Sequence, residues 1–368
     1  MIENAWIDFL KFCLDKECPI PESVSSIDWD AFLEFSQKQS IVGVLFEGIS
    51  RLGYKPAFIP RKVLISWGVM DDAIQKQNKK VNEAVVKLSE RLQKVGFDCS
   101  LLKGQGNNLL YPSPYSRMPG DIDMWITPKD KTLTDKQREQ TCIQFLRKKF
   151  PAGNLHYNHV DAGHFNGVKV ELHHRPRFVN NLVYNKRLQN WLSLHREEQF
   201  QHFVSLPDDA GTIAVPTVEF NVVFQLAHIY GHFIQEGIGL RHIVDYYYVL
   251  KAFQGADKES VRKTLEHLGL MNVSGAVSWI LHHVLGMDAD MLITPQDAVR
   301  GQMMWKEIMQ GGNFGHYHED NMSEHNKIYL NLRRLKRDLS LLRYYPSECL
   351  SEPLFRLYHF FWRLKYNN

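Results

Sequence analysis

Between Leu101 and Ile126 the chain reads LLKGQGNNLLYPSPYSRMPGDIDMWI, and the D-x-D near its end constrains the fold more than any other feature. Side chains two apart on a strand point to the same face. Asp121 and Asp123 therefore aim two carboxylates at one point, while Ile122 and Met124 begin the packing beneath them. Two negative charges held that close repel unless a cation sits between them. A hard cation held by one or two carboxylates, with substrate phosphates completing its shell, is the coordination habit of Mg²⁺. The stretch predicts a metal site laid on a strand, entered through a glycine turn at Gly104.

At 368 residues the chain is too long for one small core, and length alone suggests two or three domains. Hydrophobic residues at 44% and charged residues at 23% are an ordinary globular balance, which excludes a largely disordered chain. A formal net charge of +3 gives no field that demands nucleic acid. Cys13, Cys18, Cys99, Cys142 and Cys349 are scattered, odd in number and form no C-x-x-C pair. That pattern argues against a disulfide framework or a zinc knuckle and fits a reducing cytoplasm. MIENAWIDFLKFCLDKE carries acids inside its apolar pattern and does not read as a signal peptide. No uncharged apolar run reaches membrane-spanning length.

The periodicity divides the chain into an N-terminal helical region (1–95), a strand and helix module (96–214) and a C-terminal helical domain (215–368). In the first, Asp28 and Asp30 mark a helix start, and Pro60 opens a long helix running to about Lys94, stopped by Gly96. In the second, FDCSLL and DIDMWI read as strands, GNNLLY as a short helix and DKQREQTCIQFLRKKF as a helix after Thr134. HYNHVD and VKVELHH flank turn residues 162–167 and predict a hairpin. In the third, seven helical segments are separated by Gly and Pro, and 311–321 (GGNFGHYHEDN) reads as an exposed loop. The class is α+β: a mixed sheet with helices, flanked by helical regions.

Alternation in VKVELHH puts Val168, Val170 and Leu172 on one face and Lys169, Glu171 and His173 on the other. Glu171 is the candidate third acid, completing the metal pocket or taking a proton from an attacking hydroxyl. Lys103 and Arg117 are candidates for neutralising phosphate, Arg117 by a bidentate grip. His173 is a candidate for orienting the acid. His228 and His232, four apart, lack the glutamate of H-E-x-x-H and read as a buried polar helix face. Arg241 and Asp245 have the spacing of an ion pair on one helix, or of a helix closing over the site. The last helix, with Arg356, Arg363 and Lys365 among Phe355, Phe360, Phe361 and Trp362, reads as a core stripe with a basic rim.

Residues 97–175 resemble the nucleotidyltransferases of the DNA polymerase beta superfamily: an apolar strand into a Gly turn (Leu101, Leu102, Lys103, Gly104), D-x-D on a strand (Asp121, Asp123) and a single acid on a later strand (Glu171). The wording LKG, R-x-x-GDID and ELHHR is similar to a bacterial branch of uncharacterised nucleotidyltransferases. The resemblance implies transfer of a nucleoside monophosphate from a nucleoside triphosphate, ATP by default, to an unknown hydroxyl acceptor. It implies two Mg²⁺ ions, or Mn²⁺, held by Asp121, Asp123 and Glu171 with the nucleotide bound. Lys103, Gly104, Gln105, Arg117 and Gly120 form the implied nucleotide-binding set, with His173, Arg241 and Asp245 behind the site. Gln105 stands where the superfamily usually has a serine or second glycine, and Pro112, Pro114 and Pro119 lengthen the next loop. These departures motivate an alternative, a nucleotide-binding module without chemistry. The helical remainder motivates another, a helical partner or toxin-type protein.

Overall fold

A computed structural model describes residues 4–53, 58–254, 257–313 and 327–367. The N-terminal region is helical: α1 (Asn4–Leu14), α2 (Trp29–Lys38), α3 (Val42–Arg51) and α4 (Arg61–Lys94). Asp28 caps α2 by accepting from the Ala31 N–H at 3.2 Å, which satisfies a donor left orphaned at the helix start. The 34-residue α4 ends before Gly96, whose φ of 90° suits a residue without Cβ. The first half of α4 buries Val63, Trp67 and Ile74 in a helical core. Its second half buries Val81, Ala84, Val85, Leu88 and Leu92 against a sheet, so one helix belongs to both cores.

The sheet contains β1 (Phe97–Leu101), β2 (Ile122–Pro128), β3 (His159–Phe165) and β4 (Val168–His173), with α5 (Gln105–Asn108) and α6 (Asp135–Lys149) between strands. Its order is β1-β2-β4-β3, with β2 and β4 parallel and both outer pairs antiparallel. Thr134 and Gln137 form a capping box on α6. The turn expected over 162–167 is tighter than the sequence suggests. Strand β3 runs on to Phe165 through a register shift between Asp161 and His164, leaving Asn166 and Gly167 at positive φ to reverse the chain.

Three elements have no counterpart in the sequence reading: α7 (Leu182–Leu194), α8 (Arg196–Gln201) and a small hairpin of β5 (Phe203–Leu206) and β6 (Gly211–Ala214). The hairpin adds Leu206 and Ile213 to the sheet's core. After it come α9 (Val218–Gln235), α10 (Leu240–Ala252), α11 (Lys258–His267), α12 (Met271–Trp279), α13 (Ala298–Gly311), α14 (Lys327–Leu341) and α15 (Pro346–Asn367). Phe224, Ile243 and Val277 share the helical core with Phe9, Phe32 and Trp67, so the two helical regions pack as one body. Of the loop expected over 311–321, residues 314–321 lie outside the described residues. In α15 the core stripe is narrower than its aromatic run: Phe355 and Trp362 are buried, whereas Phe360 and Phe361 face outward. Among the described residues no helix is long and apolar enough to cross a membrane.

Candidate active site

Asp121 lies immediately before β2, and Asp123 is the register partner of Glu171 on parallel β4. Partners in register present their side chains to the same face of the sheet. One oxygen from each of Asp121, Asp123 and Glu171 lies within 4.8 Å of the others. Beneath them Ile122, Val170 and Leu172 are buried in the sheet's core and fix both strands.

Cations surround the acids. Lys103, just past β1, places Nζ 3.0 Å from Asp123 and 3.7 Å from Asp121. Lys169 reaches Glu171 at 2.6 Å and Asp121 at 3.9 Å from a half-exposed stem. His173 Nε2 stands 3.1 Å from Asp123 Oδ1. Burial alone would push the Asp123 carboxyl up, but Lys103 and His173 hold it well below the usual carboxylate range. Glu171 is displaced the other way, raised by burial and then by the charges of Asp123 and Asp121. The cluster thus contains one acid held firmly ionised and one more willing to accept a proton.

These groups line a cavity of about 420 Å³ together with His156, Asn158, His159, Arg177, His228, His232 and Glu236. His159 is the register partner of His173, and its Nε2 is 3.5 Å from Glu171 Oε2. Burial and the neighbouring His173 and His156 depress its basicity, leaving a neutral imidazole. The sequence gives little hint of this, because His159 joins the acids only through the pairing of β3 with β4. The pair His228 and His232 does form a polar face on α9, as the sequence suggests, and that face is turned to the cavity. A second cavity of about 400 Å³, lined by Gly120, Gly167 and Arg241, shares Asp121 and Lys169 with the first.

Of the residues singled out for phosphate, Gly104 stays at the turn beside Lys103, whereas Gln105 and Arg117 are engaged elsewhere. Gly104 has φ 70° and holds the turn, where a Cβ would meet nothing closer than 3.9 Å, so backbone conformation rather than space calls for glycine. Gln105 is buried, with Nε2 donating to Asn82 Oδ1 on α4 at 2.5 Å. Arg117 is buried in a bidentate pair with Asp245, Nε to Oδ1 at 2.6 Å and Nη2 to Oδ2 at 2.8 Å. Tyr111 donates to the same carboxylate at 2.6 Å. Asp245 thus takes this long-range partner, while the charge of Arg241, four residues before it on α10, also helps hold its carboxyl below the usual range. Asp245 is on the buried face of α10, and Arg117 meets it with two donors in fork geometry. Arg241 also donates to the Met118 carbonyl at 3.3 Å.

A mixed sheet whose second strand is entered by D-x-D, with a third acid facing it from the parallel neighbour, is the frame of a nucleotidyltransferase. The chain belongs to the uncharacterised nucleotidyltransferase family, whose model matches residues 25–286. That match extends well beyond the motifs of 97–175, into helices on both sides. No curated protein matches the chain. Among solved structures, the crystal structure of an antigenic nucleotidyltransferase-like protein from Paracoccidioides brasiliensis is similar at 13% identity and a TM-score of 0.33, covering 61% of this chain and 97% of its own.

Proposed function

We propose that the protein transfers a nucleoside monophosphate from a nucleoside triphosphate, ATP by default, to a hydroxyl acceptor in a divalent-metal-dependent reaction. The observation that carries this reading is the convergence of Asp121, Asp123 and Glu171 within 4.8 Å from two parallel strands. An all-oxygen carboxylate set at a cavity wall fits Mg²⁺, and the imidazoles of His159 and His173 beside it also suit Mn²⁺. Asp121 and Asp123 would hold the ions, with Glu171 at the one nearer the acceptor. When bound, such ions polarise phosphoryl oxygens and clamp the attacking and departing oxygens of an in-line displacement.

The protein's own groups divide the remaining work. Lys103, whose charge Asp121 and Asp123 strengthen against the cost of burial, stays protonated beside the incoming phosphates. Glu171 accepts the proton of the acceptor hydroxyl once that oxygen is within hydrogen-bond reach. The acceptor oxygen bonds to the α-phosphorus as the bond to the bridging oxygen breaks, and pyrophosphate leaves.

The test is pyrophosphate release over a panel of triphosphates and acceptors with Mg²⁺, including intact-mass analysis of the protein itself as acceptor. Asp121→Asn is expected to lower turnover by at least about a hundredfold, the scale on which transition-state charge stabilisation is lost. It should leave the unfolding temperature nearly unchanged, since Asp121 is partly exposed. Full activity in that variant sinks the proposal. Nucleotide binding without pyrophosphate release favours the module that binds and does no chemistry.

A further inference from the structure

Arg177 lies beyond the end of β4, is 6% exposed, and lines the larger cavity. Its Nε and Nη2 are buried without a hydrogen-bond partner among the described residues. A guanidinium carries five donors in a rigid fork, and leaving them unmet in a desolvated place is costly. The chain nevertheless makes specific room for this one. Gly231, inside α9, is the seat: a Cβ there would fall 2.5 Å from Cζ and 2.6 Å from Nε of Arg177. Glycine inside a helix costs about 1 kcal/mol relative to alanine, so the position gives up helix stability to accommodate the guanidinium.

The surroundings indicate what the fork meets. His228 and His232, on the same stretch of α9, are both kept neutral by burial, which pushes His232 down to about 4. Glu236, Asp123, Glu171 and Glu348 all act on Arg177 through space without hydrogen-bonding its Nε or Nη2, and Glu236 accepts from His232 at 2.5 Å. Burial lowers the basicity of Arg177 to about 10, which still leaves it protonated at neutral pH. A cavity wall thus presents an ionised fork with free donors next to neutral imidazoles.

We propose that Arg177, seated on Gly231, binds a phosphate-type oxyanion of the substrate at the α9 wall of the cavity. The inference rests on the nucleotidyl-transfer reading for its biological meaning, and it adds a subsite that the carboxylate motifs do not contain. Two sources share this chemistry: the triphosphate of the nucleotide, and a phosphate carried by the acceptor.

Calorimetric titration of the full chain, without divalent ions, uses inorganic triphosphate and inorganic monophosphate as separate probes. At least one is expected to bind wild type and to lose at least tenfold in affinity in Arg177→Ala and in Gly231→Ala. Arg177→Lys, which keeps the charge but not the fork, should fall between wild type and Arg177→Ala. Binding of triphosphate alone assigns the subsite to the nucleotide, whereas equal or preferred binding of monophosphate assigns it to the acceptor. Should Arg177→Ala fail to fold, Arg177→Lys and Gly231→Ala decide. A purely structural role would shift the unfolding temperature and leave binding alone. The proposal is overturned if neither probe binds wild type, or if both bind the variants as they bind wild type. Wild-type turnover separates the two readings: no pyrophosphate release over the panel of triphosphates and acceptors removes the transfer chemistry and leaves the anion result standing.

Discussion

The charge on the carboxylate cluster can be read from one side chain, Lys169. Its ammonium pairs with Glu171 and approaches Asp121, so it competes with any divalent ion drawn to those oxygens. Lys169→Met should therefore tighten Mg²⁺ binding by roughly threefold to tenfold, the effect of one charge about 5 Å away in a largely solvated setting. Weaker binding in a Mg²⁺ titration would place the ion elsewhere. Glu348, within electrostatic reach of Arg177, offers a pH test outside the carboxylate cluster. Burial pushes its carboxyl up to about 7, although the Asn180 and Asn181 N–H groups donate to it. An acid with a raised pKa in the folded state binds its proton more tightly there than when unfolded. Its stabilising contribution is complete below about pH 4.5 and is lost as pH rises to about 7, roughly 3 kcal/mol in all. Denaturant unfolding of Glu348→Gln between pH 4.5 and 8 should lack that part of the slope. A slope identical to wild type refutes it. At this scale Glu171 was legible because its strand alternates. Arg177 was not, since nothing local marks a guanidinium that a distant glycine accommodates.

Among the elements, α4 holds the glycine turn and the proline loop in register with the sheet. Asn78 is fully buried, and its Nδ2 donates to the carbonyls of Tyr115 at 3.0 Å and Arg117 at 2.9 Å. Its Oδ1 accepts from Asn108 at 2.9 Å, while Gln105 bonds the adjacent Asn82. The loop of 112–119 is thus tied to a helix before it delivers Asp121. Asn78→Ala strands several buried polar groups at once and should cost about 3 kcal/mol. Turnover should fall too, because the loop that positions Asp121 loses its anchor. Wild-type stability and turnover in that variant would show that the amide cluster positions nothing. Gln105 was expected at phosphate because its place in the motif is usually a phosphate contact. The structure gives the departure from serine or glycine another basis: the buried side chain donates to Asn78 and Asn82 on α4. Both strands flanking the site and α4 itself were readable from periodicity. The β5–β6 hairpin was not, because its short strands look like turn residues between apolar stretches.

For the whole molecule, the buried Tyr111, Arg117 and Asp245 group is a polar junction of the sheet module with the helical body, beside the apolar one made by α4. Asp245→Asn leaves the Arg117 guanidinium buried and uncompensated, which should cost about 3 to 5 kcal/mol, whereas replacing both by apolar residues of similar volume should recover part of it, the Tyr111 hydroxyl still losing its acceptor. Unfolding of Asp245→Asn and of Arg117→Met with Asp245→Leu measures this, and equal losses in the two would show that charge is not what the junction needs. Sequence by itself determined the class of fold, the long helix, the order of the motif-bearing strands and the two aspartates, because these depend on periods of two and 3.6 and on residues close together in the chain. Tertiary structure alone decided that Glu171 stands in register with Asp123, that Arg117 serves Asp245 rather than phosphate, and that α9 forms a wall of the cavity. Each of those depends on pairing and packing between segments tens to more than a hundred residues apart, where burial selects the partner and local pattern carries no record of it.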